Sequence, residues 1–222
     1  MHHILKDPDS SRLKALFIAC PESIQYLQSH HDVLLIDNTY STNRFNMPLM
    51  DIIGVDHNNR SFFIAFAFLP DQTEGSYRWA LAQMKTIFNL IHPTIGLIPG
   101  SISTDCDSAL RNAISTVFPE SATLLCLWHA NKNIQQHCKG KFTSAEAYNE
   151  FFQVWQGIVQ SPDIPEYWKR LRQFLSKYSD TLEHKECALY VRTTWLKPGR
   201  AEALVQAWTN KYPHFGTTVT SR

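Results

Sequence analysis

"VLLIDNTYSTNRFNMPLMDIIGVDHNNRSFFIAFAFL", residues 33–69, contains three apolar runs separated by short polar breaks. The runs "DVLLID" (32–37), "LMDIIGVD" (49–56) and "SFFIAFAFL" (61–69) are rich in β-branched and aromatic residues and read as strands. Between the second and third, "DHNNR" is an Asn-rich connection of hairpin length. Strands this close together leave no room for crossover helices, so an antiparallel meander is expected. The first run ends on Asp37, a carboxylate closing an otherwise apolar strand. A turn needs nothing more than that, since Asp is common at strand ends. An active site would need a second acid delivered to the same place from a distant part of the chain.

Downstream the period changes from two to that of a helix. Tyr77, Ala80, Met84, Ile87, Phe88 and Ile91 mark one face over 76–91. A strand interrupted by Pro99 and Gly100 is expected over 94–104, then a helix over 107–117 with Asp107 as its N-cap. "ATLLCLWH" (122–129) reads as a further strand. The order is βββαβαβ, an α/β class with a mixed sheet and helices packed on it. Upstream, Leu13, Leu16, Phe17, Ile24 and Leu27 suggest a short helical lead-in. Beyond about residue 130 the pattern is helical, with Tyr148, Phe151, Phe152, Trp155 and Val159 on one helix and Tyr167, Leu171, Phe174 and Tyr178 on another. The stretches 182–195 and 200–210 read as two more. The organisation predicted is a helical lead-in at 1–31, an α/β core at 32–130, a helical region at 131–215 and a return towards the core at 216–222.

This strand order decides the second acid. It places the first strand beside the fourth, and Asp105 closes the fourth in "SISTDCDSAL". Asp37 and Asp105 would then meet at one edge of the sheet. Paired carboxylates there suit Mg²⁺ or Mn²⁺, which prefer a few hard oxygen donors, and two such ions can drive phosphodiester chemistry. Asp107, one step further on, is assigned to capping.

Composition narrows the class. The formal net charge is +1, which excludes a large uniform basic field but leaves room for a local basic surface. Five Cys, an odd number with no CxxC pair, fit a reducing compartment better than a disulfide framework. No apolar run approaches a membrane span, and the first residues lack a signal-peptide apolar region. No Walker A, GxGxxG or GxSxG motif supports a nucleotide cofactor or a serine hydrolase.

Taken together, "LLIDNTYSTNRFNMPLMDIIGVDHNNRSFFIAFAFL", "SYRWAL", "STDCDSALRNAISTVFP", "LLCLWHANKNI", "YVRTTWL" and "HFGTTVTSR" resemble the transposase domain of Mutator-like elements (MULE). The likeness runs from about residue 13 to the C-terminus. It implies an RNase H-like core of the DDE type that cuts and joins DNA with Mg²⁺ or Mn²⁺ in the nucleus. Asp37 and Asp105 would be the first two catalytic, metal-holding acids. The resemblance also implies a helical insertion before the third acid, transposon ends and target DNA as partners, and a homo-oligomer in the full protein. The third acid, a Glu, is expected just after a stretch like "TTVTSR", which here reaches Arg222, so it is expected to lie beyond that residue. The family includes domesticated relatives, the plant far-red-response transcription factors, so a non-catalytic DNA-associated regulator is the alternative.

Other groups are less specific. Cys126 and His129 form a C-x-x-H pair that could begin a zinc site completed by His137 or Cys138, although the spacing matches neither common four-ligand pattern. A C-x-x-H signature recurs at this point in the resembling family. Trp128 between them reads as a core residue rather than a base-stacking platform, and Trp155, Trp168, Trp195 and Trp208 read as core of the helical region. Arg111, Lys132, Lys139 and Lys141 are candidate DNA contacts by position. Glu74 reads as a first-turn acid favoured by the helix dipole.

Overall fold

The computed structural model describes residues 1–39, 43–93 and 96–214. Seven strands form one sheet: β1 (His2–Lys6), β2 (Leu13–Ala19), β3 (Val33–Thr39), β4 (Leu49–Val55), β5 (Ser61–Phe68), β6 (Ser101–Thr104) and β7 (Ala122–Leu125). Their spatial order is β1-β2-β5-β4-β3-β6-β7. The meander β3-β4-β5 is antiparallel as expected, and β6 lies parallel to β3 on its other side. The fold is therefore a mixed α/β sheet in which β3 lies between β4 and β6 and buries Val33, Leu34, Leu35 and Ile36.

Alternation along β3 and β4 creates two unlike faces. Leu34, Ile36, Met50 and Ile52 pack with Tyr77, Leu81, Met84 and Phe88 of helix α2 (Glu74–Ile91) and Leu110 and Ile114 of helix α3 (Ser108–Val117). Val33, Leu35 and Val55, with Ile53 against them, form a much smaller cluster on the opposite face. Asp37 and Asp51 follow the period of this second face. The β4–β5 hairpin is organised by Asp56, whose Oδ1 accepts from the backbone N–H of Asn58 (2.9 Å) and Arg60 (2.8 Å). In that turn Asn59 takes a left-handed φ of 60°. Gly54 has to be glycine because a Cβ there would run into the Phe62 ring across the hairpin.

The residues expected to form a helical lead-in mostly pair as strands. β1 and β2 form an antiparallel hairpin, β2 also pairs with β5, and only α1 (Pro21–Leu27) is helical. Ala15, Phe17 and Ala19 are buried while Leu16 and Ile18 are half-buried, a period of two that the helical spacing of 13, 16 and 17 conceals. Strand partners on both sides of β2 override a weak local helical preference.

The chain divides into two compact units, Met1–Thr123 with the segment from Tyr212, and Leu124–Lys211. The second unit carries α4 (Leu127–Cys138), α5 (Ala145–Val159), α6 (Ile164–Lys177), α7 (Leu182–Tyr190) and α8 (Gln206–Thr209). Side-chain caps start three of them: Ser144 accepts from Ala147 N–H, Asp163 from Glu166 N–H and Thr181 from His184 N–H. Phe142, Tyr148, Phe151, Phe174 and Tyr178 make an aromatic core. Trp155 is fully buried and its Nε1 donates to Asn131 Oδ1 (2.8 Å). After α7 comes a π-turn (Val191–Trp195), and 200–210 holds a 3₁₀ turn (Ala201–Ala203) and α8 instead of one continuous helix. Trp195 is buried as expected, whereas Trp168 is 49% exposed and so is not core.

Candidate functional site

The parallel register of β3 and β6 brings the two predicted acids to one level. Val33 pairs with Ser101, Leu34 with Ile102 and Leu35 with Ser103, a constant offset of 68 (101 − 33). Asp105 is also 68 residues after Asp37 (105 − 37), immediately past the end of β6. Neighbouring strands stand about 4.8 Å apart. Both carboxylates are half-buried at the C-terminal ends of adjacent parallel strands, where open α/β sheets place their ligands.

Local hydrogen bonds fix this edge. Asp37 Oδ1 accepts from the Asn38 N–H (3.0 Å), and Asp105 Oδ1 accepts from the Asp107 N–H (3.1 Å). Asp107 itself caps α3 by accepting from the Leu110 N–H (2.7 Å), as its place in the sequence predicts. The Asn38 side chain has both amide atoms buried with no hydrogen-bond partner among the described residues.

A third carboxylate joins the row. Asp51 of β4 is directly in register with Asp37. Burial, and then the negative charge of Asp37, raises the Asp51 carboxyl above its ordinary value. Sequence reading passed over Asp51; the signal was an acid placed on the apolar alternation of a strand that pairs with β3. Asp51, Asp37 and Asp105 thus succeed one another across three neighbouring strands. Their oxygen donors suit a hard divalent cation in kind. Among the described residues, no three His, Cys, Asp or Glu side chains converge closely enough to hold a metal ion.

The C-x-x-H pair begins where β7 ends but is not itself strand: β7 stops at Leu125, Cys126 is the N-cap residue of α4, and His129 sits in the first turn of that helix. Cys126, Ala130, Ile134 and Cys138 are all buried and recur every four residues, so Cys126 begins a core stripe. Twelve residues of helix put Cys138 about 18 Å from Cys126. His137, at the same end as Cys138, stacks on Tyr190 (3.8 Å between ring centroids). Neither can complete a zinc site opened by Cys126 and His129.

The remaining predicted residues scatter. Arg111 is half-buried on α3. Lys132 is exposed on α4 and lies over the Trp128 ring at 4.8 Å. Lys141 pairs with Glu186 (2.6 Å). Glu74 occupies the first turn of α2 behind the Thr73 cap, as its sequence context predicts. Trp128 is 40% exposed, which corrects its reading as a core residue. Tyr40, the segment 94–95 and the whole "GTTVTSR" stretch before the expected third acid lie outside the described residues.

Comparison with known proteins finds a family match running from β3 into α4. Residues 33–133 match the MULE transposase domain family. The chain carries a MULE transposase domain. Among relatives, Protein FAR1-RELATED SEQUENCE 5 of Arabidopsis thaliana is 29% identical over 164 residues, covering 73% of this chain and 20% of that protein. Protein FAR1-RELATED SEQUENCE 6 of the same plant is 30% identical, covering 60% of this chain and 18% of the relative. A PKS-NRPS hybrid synthetase, cheA of Chaetomium globosum, is 30% identical over 58% of this chain but only 3% of its own length. The chain thus spans about a fifth or less of these relatives. The MULE match takes in Asp37, Asp51, Asp105, Cys126 and His129 together.

Proposed function

We propose that this chain is the transposase-derived core of a DNA-associated regulatory protein of the nucleus. The observation that carries this reading is the match to FAR1-related proteins of A. thaliana across most of the chain, on a MULE transposase domain. The helical unit is then the insertion that interrupts an RNase H-like core. No helix among the described residues is long and apolar enough to cross a membrane. The test is chromatin immunoprecipitation of the tagged full-length protein, as wild type and as Asp37→Asn/Asp105→Asn. Reproducible occupancy near regulated genes, equal in both forms, is expected; a protein that never enters chromatin would sink the reading.

A second reading, a DDE transposase, is favoured by one specific observation: the shared offset of 68 that levels Asp37 with Asp105. Asp37 and Asp105, with Asp51 adjacent, are the residues that would hold Mg²⁺ or Mn²⁺. Such ions supply Lewis-acid stabilisation and an activated oxygen nucleophile for phosphodiester cleavage and strand transfer. The protein's own contribution is to position the two carboxylates on rigid strand ends. A subunit partner of the same chain and a third acid beyond Arg222 belong to this reading. Metal-dependent nicking that vanishes in Asp37→Asn would favour it.

A further inference from the structure

Charge is divided unequally between the two units. Residues 124–211 hold 12 Lys and Arg against 8 Asp and Glu, a formal +4, while the rest of the chain holds 9 against 12, a formal −3. The near-neutral total hides this asymmetry. Within the helical unit the basic character has a focus. From Ser121 to Ala145 there is no acidic residue at all, whereas Lys132, Lys139, Lys141, His129 and His137 fall inside that span. Helix α4 occupies its middle.

An aromatic platform stands on this acid-free helix. Trp128 lies in the first turn of α4 with 40% of its surface exposed. Ala130 and Ile134 take the buried stripe, so Trp128 faces outward by helical geometry. Lys132, one turn on, lies 4.8 Å from its ring centroid. The His129 ring meets its edge at 4.8 Å. An exposed indole with a lysine over its ring and no acid on its own helix has the two parts that hold single strands: a π-face for a base and positive charge for the backbone.

We propose that Trp128, with Lys132 beside it, stacks an unpaired DNA base. The inference rests on the DNA-associated reading above and names its contact. A paired base is already stacked within the duplex, so the ligand is single-stranded or locally opened DNA. Charge complementarity selects nucleic acid over an apolar protein partner, because Lys132 lies over the indole and the span from Ser121 to Ala145 holds three lysines and no acid.

Fluorescence anisotropy with an end-labelled mixed-sequence oligonucleotide tests this on the full-length protein, using the strand alone and as a duplex. Trp128→Ala is expected to weaken single-strand binding about tenfold or more, while Trp128→Phe keeps most of the affinity and duplex binding shifts less than twofold. Lys132→Ala should lower the slope of log affinity against log salt by about one. Retention of the melting temperature in Trp128→Ala, together with the affinity kept by Trp128→Phe, separates loss of the contact from loss of the fold. Single-strand affinity within twofold of wild type in Trp128→Ala overturns the proposal and leaves the DNA reading standing, as does an equal loss on strand and duplex. A preference for RNA of the same sequence overturns the choice of ligand. If the wild type binds no DNA in either form, the DNA reading itself fails.

Discussion

At the level of single residues, the account concentrates on one row of carboxylates. Asp51 faces Asp37 across β3 and β4, and burial together with that neighbour raises its carboxyl. A carboxylate whose folded pKa is raised binds its proton more readily in the native state. Its protonated form is therefore favoured by folding, and stability is lost as pH rises through the folded pKa. Asp51→Asn should raise the melting temperature at pH 7, and the gain should disappear below about pH 4, where the unfolded carboxyl is also protonated. Thermal melts of both proteins across that range check the sign. Asp107 acts through capping instead. Its side chain caps α3 (2.7 Å to Leu110 N–H), so Asp107→Ala should cost about 1 kcal/mol, read by denaturant unfolding.

Elements show where sequence reading succeeds and where it stops. The meander, α2, α3, α5 and α6 were legible because each buries a residue set whose period identifies its structure, as Tyr77, Met84 and Phe88 do on α2. Asp37 and Asp105 were legible as partners because strand order alone brings β3 beside β6. β1 and β2 were not, since Leu13, Leu16 and Phe17 satisfy a helical spacing as well as a strand whose partners lie elsewhere in the chain. The strand predicted over 122–129 ran four residues too far because "LLCLWH" continues an apolar run across the junction where β7 ends and the buried stripe of α4 begins. Trp128 and Trp168 were misread because an aromatic at helical spacing does not reveal whether a partner covers it. Close packing between β4 and β5 gives a prediction at this scale. Gly54→Val forces a side chain into the Phe62 ring and should cost about 1–3 kcal/mol or more. Gly54→Ala combined with Phe62→Ala should cost less than the sum of the single changes, because the second removes what the first strikes.

For the whole molecule, the division of charge is the feature with the clearest consequence. With a formal +4 on residues 124–211 and −3 on the remainder, the proposed DNA association would rest on the helical unit, while the carboxylate edge belongs to the other. Lys132→Ala combined with Lys139→Ala should therefore reduce the salt slope of DNA binding by about two, measured by anisotropy from 50 to 200 mM salt. The double change Asp37→Asn/Asp105→Asn should leave that slope unchanged. The central claim is that a MULE transposase domain here serves DNA association rather than DNA cutting. Its most direct test incubates the full-length protein and the Asp37→Asn/Asp105→Asn variant with labelled DNA and Mn²⁺, following binding and nicking in the same samples. The account predicts affinities within twofold of each other and no strand cleavage by either. Mn²⁺-dependent nicking by the wild type that is lost in the variant would contradict it.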